Sequence, residues 1–166
     1  MDVQALIRKL GLQPHPEGGY YRQTYRGTDM IRQSELPARY RGDRSTGTAI
    51  YYLLTADTFS CMHLVQSDEI FHFYLGDPVE QLLLYPDGSG EVRRLGSDAL
   101  AGHQPQALVP HGVWQGARLI DGGSFALMGA TVSPGFDFAD FREGDRAELA
   151  AKWPEFEAMI SKLTRR

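Results

Sequence analysis

A mainly antiparallel, all-β domain, arranged as a sandwich, jelly roll or barrel with short helices at its two ends, is the fold class this sequence predicts. Three observations predict it. Short apolar or alternating runs follow one another between Tyr20 and Ser133, Gly- and Pro-containing turns separate them, and helical periodicity is confined to the two ends. Because no helical period lies between the strands, a parallel sheet with alternating helices is excluded.

Each element has its own signal. Val3, Leu6, Ile7 and Leu10 recur at three- and four-residue steps and Gly11 follows, as at the end of a short packing helix. Pro14 to Gly19 is turn-rich. Tyr20 to Arg26 then alternates, with Arg22, Thr24 and Arg26 on one face and Tyr21, Gln23 and Tyr25 on the other. Gly27 to Gly47 is polar, contains Pro37 and shows no alternation, so it reads as a long loop, lying over a barrel mouth or against a second subunit, or making a plain surface excursion. Strands are expected at Thr48 to Leu54, Thr58 to Val65, Glu69 to Leu75, Val79 to Tyr85, Glu91 to Leu95, Gln106 to Val109, Val113 to Ile120 and Ser124 to Ser133. Asp145 can cap a helix running through Ala151, and Pro154 opens another whose stripe is Phe156, Met159, Ile160 and Leu163.

At 166 residues the chain fits one domain, 1–166, with no repeat or linker. No apolar run approaches the roughly 20 residues that span a bilayer, and Met1-Asp2-Val3-Gln4 lacks the pattern of a signal peptide, so a cytoplasmic protein without a membrane role is expected. The single Cys61 cannot form an intrachain disulfide and reads as a small buried side chain. A net charge of -4 with no basic run disfavours nucleic acid and leaves a small molecule as the expected partner. Absent Gly-x-Ser-x-Gly, Gly-x-x-x-x-Gly-Lys and Cys-x-x-Cys patterns set aside serine hydrolases, phosphate-loop enzymes and dithiol chemistry.

The stretch His63 to Pro78 carries the chemistry. It reads as two strands joined by the polar turn Gln66-Ser67-Asp68, a hairpin, with His63 and Val65 on one face and Glu69, Phe71 and Phe73 on another. If those faces meet, an imidazole and a carboxylate share an apolar concavity suited to proton transfer or metal ligation. Burial would raise the Glu69 pKa and a protonated His63 would lower it, so pattern alone leaves the direction open. His72 falls on the opposite face of its strand, while His15, His103 and His111 fall in turns; none is assigned a metal role.

The spacing of His63, Glu69 and Gly76 resembles the first motif of the cupin superfamily, with Val65 where that motif has a second histidine. Pro110-His111-Gly112-Val113-Trp114-Gln115 resembles the second motif, with Gln115 in place of its histidine. A closer likeness, through His15-Pro16-Glu17-Gly18-Gly19-Tyr20-Tyr21-Arg22, Ser67-Asp68-Glu69, Gly76-Asp77-Pro78, Val113-Trp114-Gln115 and Ser133-Pro134-Gly135-Phe136-Asp137-Phe138, is to a family of short single-domain cupins of unknown function. The resemblance implies a cupin double-stranded β-helix, or jelly-roll barrel, and a homodimer. More distantly the chain resembles the metal-free sugar-nucleotide epimerases, which use a histidine base and a tyrosine acid.

These readings converge on a small-molecule-binding cupin, as an enzyme an isomerase or epimerase acting by proton transfer on a carbohydrate-like or carbonyl-containing metabolite. The alternatives are a metal-dependent cupin enzyme and a non-catalytic binding barrel. The catalytic candidates are His63, Glu69 and Tyr52; the substrate-binding candidates are Glu17, Arg22, Phe71, Phe73, Trp114 and Gln115. With two ligand positions altered no cofactor is expected, or at most a weak, substoichiometric divalent transition metal on His63, Glu69 and Gln115.

Overall fold

The computed structural model describes residues 2–165. Thirteen strands, several of only two residues, form two facing antiparallel sheets and one small ladder. The first sheet runs β1 (Gln13–Pro14), β2 (Tyr20–Arg26), β5 (Thr48–Thr55), β12 (Phe125–Ser133), β7 (Asp68–Gly76) and β10 (Gln106–Val109). The second runs β13 (Arg142–Glu143), β6 (Phe59–Leu64), β11 (Trp114–Leu119), β8 (Val79–Leu84) and β9 (Gly90–Leu95), while β3 (Met30–Ile31) pairs with β4 (Arg44–Ser45). The arrangement is a jelly roll. The nine longer strands fall within one residue of the limits expected from the sequence; the two-residue strands β1, β3, β4 and β13 were not expected.

Strand alternation sorts the apolar residues into three layers. Tyr52, Leu54, Phe71, Leu83, Ala126 and Met128 fill the space between the sheets. Leu53, Phe125 and Leu127 point the other way and are covered by α1 (Val3–Leu10), which Asp2 caps and Gly11 ends in the left-handed conformation. Met62, Leu82 and Leu84 leave the second sheet outward and are covered by Leu149 of α2 (Arg146–Lys152), Trp153 and Ile160 of α3 (Glu157–Lys162). Asp145 caps α2 as expected.

Two expectations need correction. The strands around Gln66-Ser67-Asp68 are not a hairpin: β6 pairs with β11 and β13 in one sheet, and β7 with β12 and β10 in the other. The connection is a corner between sheets, so His63 and Glu69 come from opposite walls. The segment 27–47 is not a free loop either. It holds the β3–β4 ladder, and Arg44 donates twice to the buried Asp140 carboxylate, at 2.7 and 2.6 Å. That pair ties the segment to residues 134–141, which border the interior cavity. Among the described residues no helix is long and apolar enough to cross a membrane.

Candidate functional site

The site starts with an irregularity in β6. Gln115 pairs with His63 but Ala117 pairs with Ser60, so β6 holds one residue more than β11 over this span. A bulge changes which side chains share a face, and both Ser60 and His63 point inward, each 2% exposed. His63 Nδ1 lies 2.8 Å from the Cys61 carbonyl oxygen. A carbonyl only accepts, so Nδ1 carries a proton and the exchangeable position of the ring is Nε2. Nε2 lies 3.4 Å from Glu17 Oε2, and Phe141 stacks on the ring with centroids 5.3 Å apart.

Glu17 reaches this place through the turn His15–Gly19, closed by backbone bonds in both directions. Gly18 and Gly19 have φ of 113° and 70°. A Cβ on Gly18 would collide with the Phe59 carbonyl and one on Gly19 would sit 2.6 Å from the Leu53 oxygen, so only glycine lets the turn pack this tightly. The turn therefore lies directly on β6, where the Cys61 N–H donates to the Glu17 carbonyl at 2.9 Å and the Ser60 hydroxyl donates to Glu17 Oε1 at 3.0 Å. His15 Nδ1 also approaches Glu17 Oε2, at 3.8 Å, but it accepts the Glu17 backbone N–H at 3.1 Å. A ring nitrogen that accepts carries no proton, so this contact is not an ion pair. Burial outweighs the attraction of Glu17 and lowers the His15 pKa.

Glu69 stands on the facing sheet, 9% exposed. Burial, reinforced by the Glu17 charge, pushes its pKa up to about 7 against the opposing pull of His63 and of a hydrogen bond from Gln115. The direction left open by the sequence is thus upward. Gln115 Nε2 donates to Glu69 Oε2 at 2.7 Å, Gln81 Nε2 donates to Gln115 Oε1 at 3.2 Å, and Arg93 Nε donates to Gln81 Oε1 at 2.9 Å. A guanidinium has no acceptor, so Arg93 fixes the polarity of the chain: each amide must present its oxygen toward Arg93 and its nitrogen toward Glu69. No protein donor among the described residues reaches Glu69 Oε1.

These groups border one cavity of about 380 Å³, within the small-molecule range. Of the candidate residues, Glu17, Tyr52, His63, Glu69 and Phe71 line it, together with Val65. Tyr52 does not offer its proton there, because its hydroxyl donates to the Gly18 carbonyl at 2.7 Å and burial raises its pKa well above 10.0. Arg22 is corrected to the outer face, its guanidinium 5.7 Å from the Tyr51 ring centre. Alternation places it there, opposite Tyr21 and Gln23, which line the cavity. Beyond them β2 bulges, Gln23 pairing with Ile50 but Tyr25 with Ala49, and the extra residue reverses the alternation so that Arg26 lines the cavity in place of Tyr25. Phe73 packs into the core instead, and Trp114 leaves the second sheet on the far side, against the C-terminal helices and Arg142. Gln115 holds Glu69 without lining the cavity.

Sequence reasoning missed His15, Ser60, Gln81, Arg93 and the rim residues Phe136 and Phe138. The double glycine after Glu17 was the available signal for His15, since a turn that packs its backbone against a strand carries its flanking side chains with it. Nothing in the local pattern marks Gln81 or Arg93; their role depends on the β8–β11 pairing.

The positions that supply ligands in cupins do not fit a metal in this chain. Val65 donates nothing, and Gln115 presents its N–H₂, a donor, while its oxygen is held by Gln81. Among the described residues no three His, Cys, Asp or Glu side chains form a group that could hold a metal ion. The metal set His63, Glu69 and Gln115 is corrected accordingly.

Residues 4–143 match the family model described as "Cupin superfamily (DUF985)". The uncharacterized Saccharomyces cerevisiae protein YML079W is 32% identical over 147 residues, 84% of this chain and 73% of that protein. Protein SO0799 from Shewanella oneidensis superposes with a TM-score of 0.88 at 33% identity, covering 99% of this chain and 98% of its own. A hypothetical protein from Leishmania major gives 0.87 at 28% identity, with 98% of each chain covered. Oxalate decarboxylase from Bacillus subtilis shares the fold alone: 14% identity, TM-score 0.53, 90% of this chain against 36% of that one.

Proposed function

This chain belongs to the cupin superfamily, in its DUF985 family, and we propose that it transfers protons on a small carbohydrate-like or carbonyl-containing molecule, as an isomerase or epimerase without a metal. The observation that carries the reading is Glu69: a buried carboxyl held near pKa 7 on one wall of the cavity, facing the His63–Glu17 pair on the other. A base poised near neutrality is what abstraction of a proton beside a carbonyl requires.

In this reading the Glu69 carboxylate takes the proton from the carbon next to the carbonyl. The C–H electron pair becomes the carbon–carbon double bond, and the carbonyl electrons move to the oxygen. His63 then gives its Nε2 proton to the carbon from the opposite face, and Glu17, 3.4 Å away, holds the imidazolium until it does so. Glu69 ends protonated and His63 neutral; exchange with water resets both. Two carboxylates beside the reacting end favour a substrate uncharged there, and aromatic Tyr21, Phe136 and Phe138 suit the apolar face of a sugar ring. The working unit in this reading is a homodimer, supported by the exposed apolar side chains Tyr25, Met30 and Tyr74.

Chelator-treated protein is incubated in deuterated water with sugars, sugar nucleotides and keto acids, and carbon-bound deuterium is followed by NMR. Exchange is expected with at least one compound, and Glu69→Gln is expected to slow it about a hundredfold or more with the fold intact. Exchange at an undiminished rate in Glu69→Gln rules out Glu69 as the base. Binding without exchange makes the protein a binding cupin.

A further inference from the structure

We propose that His15 is the neutral hydrogen-bond donor that receives the oxygen on which negative charge develops when Glu69 takes its proton. This inference rests on the proton-transfer reading and identifies the group that reading lacks. An enolate oxygen forming in a buried cavity needs a fixed donor, and three side chains able to supply one, Arg22, Tyr52 and Gln115, are committed elsewhere. Arg22 lies on the outer face, the Tyr52 hydroxyl donates to Gly18, and the Gln115 amide donates to Glu69. The guanidinium of Arg26 is engaged at the mouth, with Gln23 at 3.3 Å and the Phe136 carbonyl at 3.0 Å.

His15 is free for the task, and its chemistry is set by the backbone. The Glu17 N–H donates to Nδ1, which therefore carries no proton; the ring's one proton is on Nε2. No acceptor among the described residues takes that Nε2–H, and the ring borders the cavity beside Glu17, lying roughly perpendicular to the rings of Tyr21 and Tyr52 at centroid distances of 4.4 Å and 5.8 Å. Burial opposes a second proton on the ring, so the imidazole stays a donor without becoming an acid. A neutral imidazole held in one tautomer can polarise a carbonyl without transferring its proton to the enolate.

The test has two parts. Long-range ¹H–¹⁵N NMR of the labelled, ligand-free protein reads the His15 tautomer from about pH 6 to about pH 8; the Nε2–H form is expected throughout. Glycolohydroxamate, a mimic of an enediolate, is then bound to wild type, His15→Phe and His15→Gln. Binding is expected to weaken at least about tenfold in His15→Phe, which keeps the ring but loses the donor, and to be largely retained in His15→Gln, which keeps an N–H. An Nδ1–H tautomer, an imidazolium, or equal binding by His15→Phe overturns the assignment of His15 and leaves proton transfer by Glu69 standing. If wild type neither binds the mimic nor catalyses exchange, the proton-transfer reading itself fails, and this inference with it. The tautomer measurement uses wild type alone, so it decides even if a variant fails to fold.

Discussion

Burial raises the Glu69 pKa, and the consequence extends to stability. Its pKa rises from an ordinary 4.5 to about 7 in the folded protein, so between those values the folded state holds a proton that the unfolded state has lost. Stability is therefore expected to fall as pH rises through that window, by an amount on the order of a few kcal/mol, and to level off above it. Glu69→Gln, which cannot ionise, should lack that decline when urea midpoints are compared across pH. Arg93→Met removes the donor that polarises the two glutamines, so the carboxylate loses support and the end of the window should move upward by about one unit. An unchanged window in Arg93→Met would deny the relay. The sequence made His63, Glu69 and Glu17 legible because strand parity and the cupin motifs are local signals. Gln81 and Arg93 were not, since which glutamine stands beside which is decided by strands 34 residues apart in the chain.

At the level of elements, the nine longer strands could be read from alternation and turns, whereas the four two-residue strands and the pairing could not. Periodicity reports that a segment is extended and which side is apolar; it does not report the partner, so a polar three-residue connection read as a hairpin where the chain changes sheets. Bulges were equally silent. One in β2 turns Arg26 instead of Tyr25 toward the cavity, and one in β6 brings Ser60 and His63 to a common face. The segment 27–47 illustrates a different limit, because its order comes from a partner almost a hundred residues away. Arg44 and Asp140, both buried, join it to the rim. Arg44→Met leaves the Asp140 carboxylate buried without its cation, and a loss of about 3–5 kcal/mol in equilibrium denaturation is expected. A loss below about 1 kcal/mol would show that the pair does not anchor the rim.

The whole molecule is a sandwich with helical cover on both outer faces, α1 on one sheet and α2 with α3 on the other. That plan leaves part of the first sheet bare. Tyr74 and Leu108 stand about half exposed on it, and a second copy would cover them. Light scattering at micromolar concentration should give twice the 18.6 kDa chain mass; a monomer mass would contradict the dimer. Fold and family were legible from the order of strands and turns together with the spaced motifs. The misfit of the cupin ligand positions to a metal was legible only in part: Val65 and Gln115 announce missing ligands, but only the hydrogen-bond chain from Arg93 reveals that Gln115 turns its donor inward.

In the proposed reading the cavity holds a base that burial poises near neutral pH, with no metal. The side-chain carboxyl carbon of Glu69, followed by ¹³C NMR in chelator-treated wild-type protein as pH is varied, tests it most directly. The account predicts a midpoint of about 7 that addition of divalent zinc, manganese or nickel leaves unmoved. A midpoint near the ordinary 4.5, or one driven sharply down by stoichiometric metal, would contradict it.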